Sequence, residues 1–301
     1  MNEFAGVHAA AITPCGKQGE VDLGAAFELI DHLCAAGVRG IVLFDETGEY
    51  PAFSAAERSR LVYLAVKRSR VPVLAGVGSA TLDISLDLAR EARDAGAAGL
   101  LLPPPFFPLY DPDDLREFYL EFSRQMGRPA AVFLTNMPSA RSAIPIETAL
   151  DLLATGLFAG IVEGGGSLES FLRMKAAASG GPYQVMASNE AFFTHARCAG
   201  VRGVISGVAC AAPELVMALD RAIGARRQEQ IERLDGALQE FLQWAGRFPP
   251  SVAVKVAAGL RGLKTGPLIV PLSPAKRKLL DEFRSWFQAW LPAVKGLSAH
   301  G

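Results

Sequence analysis

Short runs of consecutive apolar residues alternate with amphipathic stretches from the start of the chain to about residue 225. The runs fall at 7–12, 40–44, 73–75, 99–102, 130–134, 159–162, 184–187 and 203–205. They are apolar at nearly every position, which predicts strands covered on both faces, as in a parallel sheet wrapped by helices. The stretches between them carry helix-start signals. Ser54 with Glu57 forms a capping box, Thr81 can cap the segment from Leu82, and Pro112 and Pro145 suit first helical positions. Gly37, Gly96, Gly127, Gly156 and Gly200 stand where helices end. About eight strand–helix units predict an α/β fold closed into a (β/α)8 TIM barrel, in preference to an open doubly wound sheet. Helical patterns continue at 226–246, 251–262 and 274–291, so the chain divides into a barrel over 1–225 and a C-terminal helical appendage over 226–301.

The 301 residues, 50% of them hydrophobic, suffice for one large core. A formal net charge of −1 gives no attraction for nucleic acid or for an anionic membrane. Arg221, Arg226, Arg227 and Arg233 sit at helical spacing and read as a solvated face. Cys15, Cys34, Cys198 and Cys210 are widely spaced, which argues against a disulfide framework or a zinc site. The first residues lack a secretory signal, and the apolar stretch 99–110 is interrupted by prolines and too short to span a bilayer. A reduced, cytoplasmic setting is expected.

In a barrel of this kind chemistry gathers at the C-terminal ends of the strands, where the loops converge on one mouth. The residues just after each apolar run are therefore the candidates. They form an acidic and polar rim of Asp45, Glu46, Thr47, Glu49, Thr135, Asn136, Glu163, Ser188, Asn189, Glu190 and Ser206, with Arg141 close by. Three uses of this rim stand open. A carboxyl group in an apolar pocket can act as general acid or base. Carboxylates from several strands can hold a hard cation. The same side chains can simply cap helices, pair with Arg141 or Arg197, and face solvent. The turn Gly164-Gly-Gly-Ser167 opens the helix that follows it and reads as an ordinary backbone turn, although its N–H groups could also hold an anion. His8, at the start of the first strand and far from the mouth, reads as structural.

Several local patterns occur in a fixed order: Ala11-Ile-Thr-Pro14, Thr47-Gly-Glu49, Gly76-Val-Gly78, Asn136-x-Pro138, Gly160-Ile161 with Glu163, and Gly203-Val-Ile-Ser206. Together, over essentially the full length, they resemble the dihydrodipicolinate synthase / N-acetylneuraminate lyase family of pyruvate-dependent aldolases. The resemblance implies a barrel, a small-molecule substrate and a homodimer or homotetramer, with no cofactor and no resident metal. It also implies a lysine in a Gly-Ile-Lys-Glu segment, which forms a Schiff base with the substrate's keto group. This chain has Val162 there.

Other departures follow. The family's Gly-Thr-Thr-Gly-Glu loop is matched by Asp45-Glu46-Thr47-Gly48-Glu49, and its Tyr-Asn by Thr135-Asn136. Its Pro-Tyr-Tyr, often shared with a neighbouring subunit, is matched by Pro105-Phe106-Phe107. The synthase arginine position is Ala140, one residue before Arg141. The lysines of this chain fall in predicted loops, helices or the tail, where exposure would leave their amines protonated. Two carboxylates about 4 Å apart repel by on the order of 4 kcal/mol at an effective dielectric of 20, so Glu46 makes pyruvate an unfavourable ligand. The expectation is a divergent barrel with lysine-independent, lyase-like chemistry on a small polar substrate. Glu46, Thr47, Thr135 and Glu163 are then the catalytic candidates, and Asp45, Asn136, Arg141, Ser188, Glu190 and Ser206 the ligand contacts. A catalytically silent binding homologue and a pyruvate-dependent lyase are the alternatives.

Overall fold

A computed structural model describes residues 4–106, 109–127, 130–137 and 143–299. Eight parallel strands close into a barrel in sequence order: β1 Gly6–Ala10, β2 Gly40–Leu43, β3 Val73–Gly76, β4 Gly99–Leu102, β5 Val132–Asn136, β6 Gly160–Glu163, β7 Gln184–Ala187 and β8 Gly203–Ser206. The ring is sealed where Val7 of β1 pairs with Val204 of β8. Alternation along the strands sorts the side chains into two cores. Ala10, Val42, Leu74, Leu101, Phe133, Val162, Met186 and Ile205 fill the barrel interior, and Phe4 plugs its lower end edge-on to Phe133 with ring centroids 4.9 Å apart. Their strand neighbours, such as Ile41, Leu100, Leu134, Ile161 and Val204, face the helices.

The barrel helices are α1 Leu23–Ala35, α2 Ala55–Arg68, α3 Leu82–Ala95, α4 Pro112–Met126, α5 Ile146–Ala154, α6 Leu168–Ala177, α7 Phe193–Cys198, α8 Val208–Ala211 and α9 Pro213–Gly224. The Ser54/Glu57 capping box forms in full, and Thr81 and Asp111 accept from the first turns of α3 and α4. Gly37, Gly96, Gly127, Gly156 and Gly200 all take positive φ, as expected of helix-ending glycines. The appendage comprises α10 Gln228–Ala245, α11 Val252–Leu260 and α12 Pro274–Ala299, with α10 and α12 packed on α9 and α11 on α8. Phe241, Phe283, Phe287 and Trp290 form an aromatic core between α10 and α12.

The fold differs from the sequence expectation in four places. Strand β5 lies two residues later than the apolar run suggested, so Thr135 and Asn136 belong to the strand and not to the loop after it. Pro145 caps α5 from outside, with φ −58° and ψ 149°, and Ile146 is the first helical residue. Helix α12 continues through Pro292 to Ala299. Pro292 and Gln288, whose carbonyl loses its usual N–H partner, are both exposed, so water can serve that carbonyl. Short helical turns also occur in the loops after two strands, η1 Tyr50–Ala52, capped by Glu49, and η2 Glu190–Phe192, which begins with the mouth residue Glu190.

Candidate active site

The mouth holds a cavity of about 400 Å³ with three distinct surfaces. Its floor is the upper end of the barrel interior: Ala10, Leu101, Val162 and Ile205, joined by Thr135. Val162 is 1% exposed and points inward from β6, as its register demanded. The walls are polar and come from two loops, Asp45, Glu46 and Thr47 after β2, and Ser188, Asn189 and Glu190 after β7. The roof comes from the appendage, between Leu242 of α10 and Val254 of α11, and includes Phe248 and Pro250.

The β2 loop is held in an unusual shape. Phe44 and Glu49, at its two ends, take φ of 58° and 52°, a left-handed region that costs a non-glycine residue of order 1 kcal/mol. Gly76 shows why the chain turns there: a Cβ at Gly76 would lie 1.9 Å from the Phe44 carbonyl oxygen, so only glycine lets β3 pass beneath the loop. Three side chains fix the loop from outside. Thr13 Oγ1 donates to the Gly48 carbonyl at 2.7 Å. Arg58 donates to the Gly76 and Gly78 carbonyls, both at 2.9 Å, while its guanidinium lies over the rings of Phe44 and Tyr50.

Lys255 on α11 is the third. Its Nζ lies 3.1 Å from Glu49 Oε2 and 3.5 Å from Cys15 Sγ. This lysine corrects the expectation of exposed lysines, since it is 0% exposed. Nothing in the local helical pattern marks it, because its burial arises from contact between chain segments 206 residues apart.

Within this frame the carboxyl groups meet two environments. Burial, with further repulsion from Glu46 and Glu190, raises Asp45 to about 7, although its Oδ1 accepts from Gly48 N–H at 3.0 Å. Burial likewise raises Glu190 to about 7, against hydrogen bonds from Ser206 Oγ and from the Val208 N–H at 3.0 Å. Thr47 stands beside Glu190: a Cβ on Gly207 would meet Thr47 Oγ1 at 2.8 Å and Glu190 Oε2 at 3.6 Å. Two carboxyls of nearly neutral pKa thus face one cavity over an apolar floor.

Asn136, Glu163 and Ser206 lie on the other side of the barrel wall. Each alternates with an inward residue, Thr135, Val162 and Ile205, and so faces the helices. Glu163 accepts from Asn136 Nδ2 and from the Gly165 N–H, both at 2.8 Å. Burial raises its pKa. Asn136 in turn bonds both backbone groups of Ile144. The glycine turn after β6 therefore spends one N–H on the chain's own Glu163. Ser206 accepts from the Ala209 N–H at 3.0 Å and supports Glu190 from behind. Arg141 and Phe107 lie outside the described residues. Among the described residues no group of three or more His, Cys, Asp or Glu side chains is arranged to hold a metal ion. Also among them, no helix is long and apolar enough to cross a membrane.

Sequence reasoning missed the roof and Met137, which also lines the cavity. The roof residues are ordinary apolar positions of the appendage with no chemical signal of their own. Only their placement over the mouth gives them a part in the site.

The fold and site define a TIM barrel whose small-molecule-sized cavity opens at the C-terminal ends of its strands. Residues 3–290 match the model of the dihydrodipicolinate synthetase family, and the chain belongs to that family. It is 28% identical over 286 residues to 4-hydroxy-tetrahydrodipicolinate synthase of Methanosarcina barkeri, covering 93% of this chain and 98% of that one. Against the same-named protein of Methanothrix thermoacetophila it is 29% identical over 279 residues, 90% and 92% of the two chains. The solved 4-hydroxy-tetrahydrodipicolinate synthase of Methylacidiphilum fumariolicum superimposes with a TM-score of 0.87 at 26% identity, covering 97% and 99%. The sialic acid aldolase of Ruminococcus gnavus shares the fold, with a TM-score of 0.85 at 19% identity and coverage of 96% and 98%.

Proposed function

We propose that this family member runs acid–base chemistry of the lyase type without a Schiff base, on a small polar substrate that is not an anion. The observation that carries this reading is the pairing of Asp45 and Glu190, each raised to about 7, over a floor where Val162 stands. The family resemblance puts an imine-forming lysine at that floor position. Valine supplies no nitrogen, and the buried Lys255 is engaged with Glu49 and is not among the cavity's lining residues.

Near neutral pH each of the two carboxyls, raised to about 7 chiefly by burial, is present in both ionised and protonated forms, so one can serve as base while the other serves as acid. The ionised member takes a proton from a carbon beside a carbonyl. The protonated member gives its proton to the departing oxygen, so a C–H and a C–O bond break, a double bond forms, and water or an alcohol leaves. The pair ends with its proton exchanged between partners and resets through solvent. Thr47 orients the substrate beside Glu190, and Thr135 offers the floor's one hydroxyl. Asn136 and Glu163 act from outside the cavity, with Asn136 holding Ile144 and Glu163 holding Asn136. A carboxylate substrate such as pyruvate would press both acids further toward protonation and would have to bind together with a proton.

Small hydroxy-carbonyl compounds incubated with the protein in D2O test this reading by NMR. We expect deuterium to enter a C–H beside the carbonyl at pH 7, and Asp45→Asn and Glu190→Gln each to stop it. Exchange that survives both substitutions contradicts the assignment. Binding without any exchange would favour a barrel that has kept its pocket and lost its turnover.

A further inference from the structure

A second cavity of about 370 Å³ adjoins the first, and Glu46, Met137, Pro249 and Pro250 line both. Among the described residues its walls are apolar where those of the mouth are polar, although the floor and roof of the mouth are apolar too. Tyr50, Pro105, Phe106, Ile269 and Val270 form its walls, and Glu46 and Glu49 are its only acidic lining. Phe106 is 42% exposed and stands edge-on to Tyr50, with ring centroids 6.0 Å apart. A ring entering between Phe106 and Val270 would cover apolar surface that is otherwise left to water.

The walls belong to three separate segments: η1 after β2, the proline stretch after β4, and the loop between α11 and α12. Glu46 and Met137, with Pro249 and Pro250, stand between the two cavities and line each of them. Among the described residues that line either cavity none is a cation, whereas Glu46 lines both chambers and Glu49, paired with Lys255, the outer one.

We propose that the site takes a two-part ligand: a neutral or amine-bearing polar head at Asp45 and Glu190, and an aromatic or branched aliphatic tail between Phe106 and Val270. This extension rests on the acid-pair reading for the head, while the tail position stands on the second cavity alone. The head follows from the charge of the walls, because an amine gains from the ionised carboxylate and a second carboxylate loses. The tail follows from the shape and apolarity of the adjoining space. The acids thereby select the head and the outer chamber selects the size.

Three probes separate these contributions. Phenylalaninol carries an amino alcohol head and a phenyl tail, alaninol the same head without the ring, and 3-phenylpropanoate the ring with a carboxylate. Their affinities are read by saturation-transfer NMR at pH 7. We expect phenylalaninol to bind at least tenfold more tightly than either of the other two. Val270→Trp, which fills the outer chamber, should remove the advantage of phenylalaninol over alaninol and leave alaninol unchanged. Phe106→Ala should weaken phenylalaninol several-fold, compared at matched oligomeric state because the same residue lies on the edge expected at the subunit contact. Equal affinity of phenylalaninol and alaninol overturns the tail position. Phenylalaninol binding that responds to Val270→Trp but not to Asp45→Asn or Glu190→Gln keeps the tail and removes the acid-pair reading. Conversion of an oligomer into monomers by Val270→Trp would show the chamber to be a subunit contact and would overturn the ligand assignment.

Discussion

At the scale of single residues, the site is a place where stability is given up. Asp45 and Glu190 have raised folded values of about 7 against ordinary values of 3.8 and 4.5. Between those limits the folded chain holds more protons than the unfolded one, so their contribution is fully present below about pH 4 and is lost as pH rises through about 7. Asp45→Asn and Glu190→Gln keep the acceptor atoms and remove the buried charge. Each should therefore raise stability at pH 8 by roughly 1–3 kcal/mol, by less at pH 5, and change it little only near or below pH 4, read from thermal or urea unfolding. A loss of stability at pH 8 would mean that the carboxylates are favourably held. His8 works in the opposite sense. Burial lowers it to about 4, with the Phe4 backbone beside the ring opposing the shift only in part. The unfolded chain takes up that proton between about pH 6.5 and 4, so His8 makes the fold less stable as pH falls through this window. His8→Met should flatten the acid limb of the stability curve. The sequence placed both Asp45 and Glu190 at the mouth but ranked Glu46 and Glu163 above them for chemistry. That ranking came from chain position alone. Burial, which separates Asp45 and Glu190 from an ordinary solvated carboxylate, depends on the roof and on the opposite loop.

At the scale of elements, a charged contact ties the appendage to the mouth. Lys255 of α11 reaches Glu49, whose backbone is left-handed and whose loop carries Asp45, Glu46 and Thr47. Removing one partner of a buried pair strands the other, so Lys255→Met should cost about 3–5 kcal/mol of unfolding free energy. Adding Glu49→Gln should recover a substantial part of that loss. No recovery in the double variant would show that Lys255 serves packing alone. The strands themselves were legible because each is buried on both faces and leaves an uninterrupted apolar run. Strand β5 was misplaced for a related reason: it ends in the polar pair Thr135-Asn136, while the alanines before Val132 look like strand. The end of α12 was misplaced because Pro292 lies on a solvent face, where losing one hydrogen bond matters little. The Lys255–Glu49 pair was not legible at all, since helical periodicity carries no information about a loop on the other side of the barrel.

At the scale of the whole molecule, Phe106 at 42% and Leu109 at 78% exposure form an apolar edge beside the proline stretch after β4. We expect at least a homodimer with this edge near the contact, which is where the family resemblance places a shared loop. Static light scattering at micromolar concentration checks it, and a monomer contradicts it. The appendage has its own part in the assembly of the site. By roofing the cavity it keeps Asp45 and Glu190 away from bulk water, and all the tryptophans of the chain, Trp244, Trp286 and Trp290, lie on its α10 and α12. Their fluorescence gives a direct report on whether the roof stays folded in each variant. Family membership accounts for the barrel and for the position of the cavity, while Val162, Asp45 and Glu190 set the chemistry proposed for this chain.

The claim that this chemistry proceeds without an imine is tested most directly by incubating the protein with pyruvate and borohydride and measuring its intact mass. Borohydride reduces a protein imine to a stable amine and fixes the added carbon atoms to the lysine that formed it. With valine at 162 and Lys255 engaged by Glu49, the mass should remain that of the untreated protein, apart from slow, scattered labelling of surface lysines. A stoichiometric adduct mapped to a single lysine would contradict the account, because it would identify a working nucleophile and return the protein to pyruvate-dependent lyase chemistry.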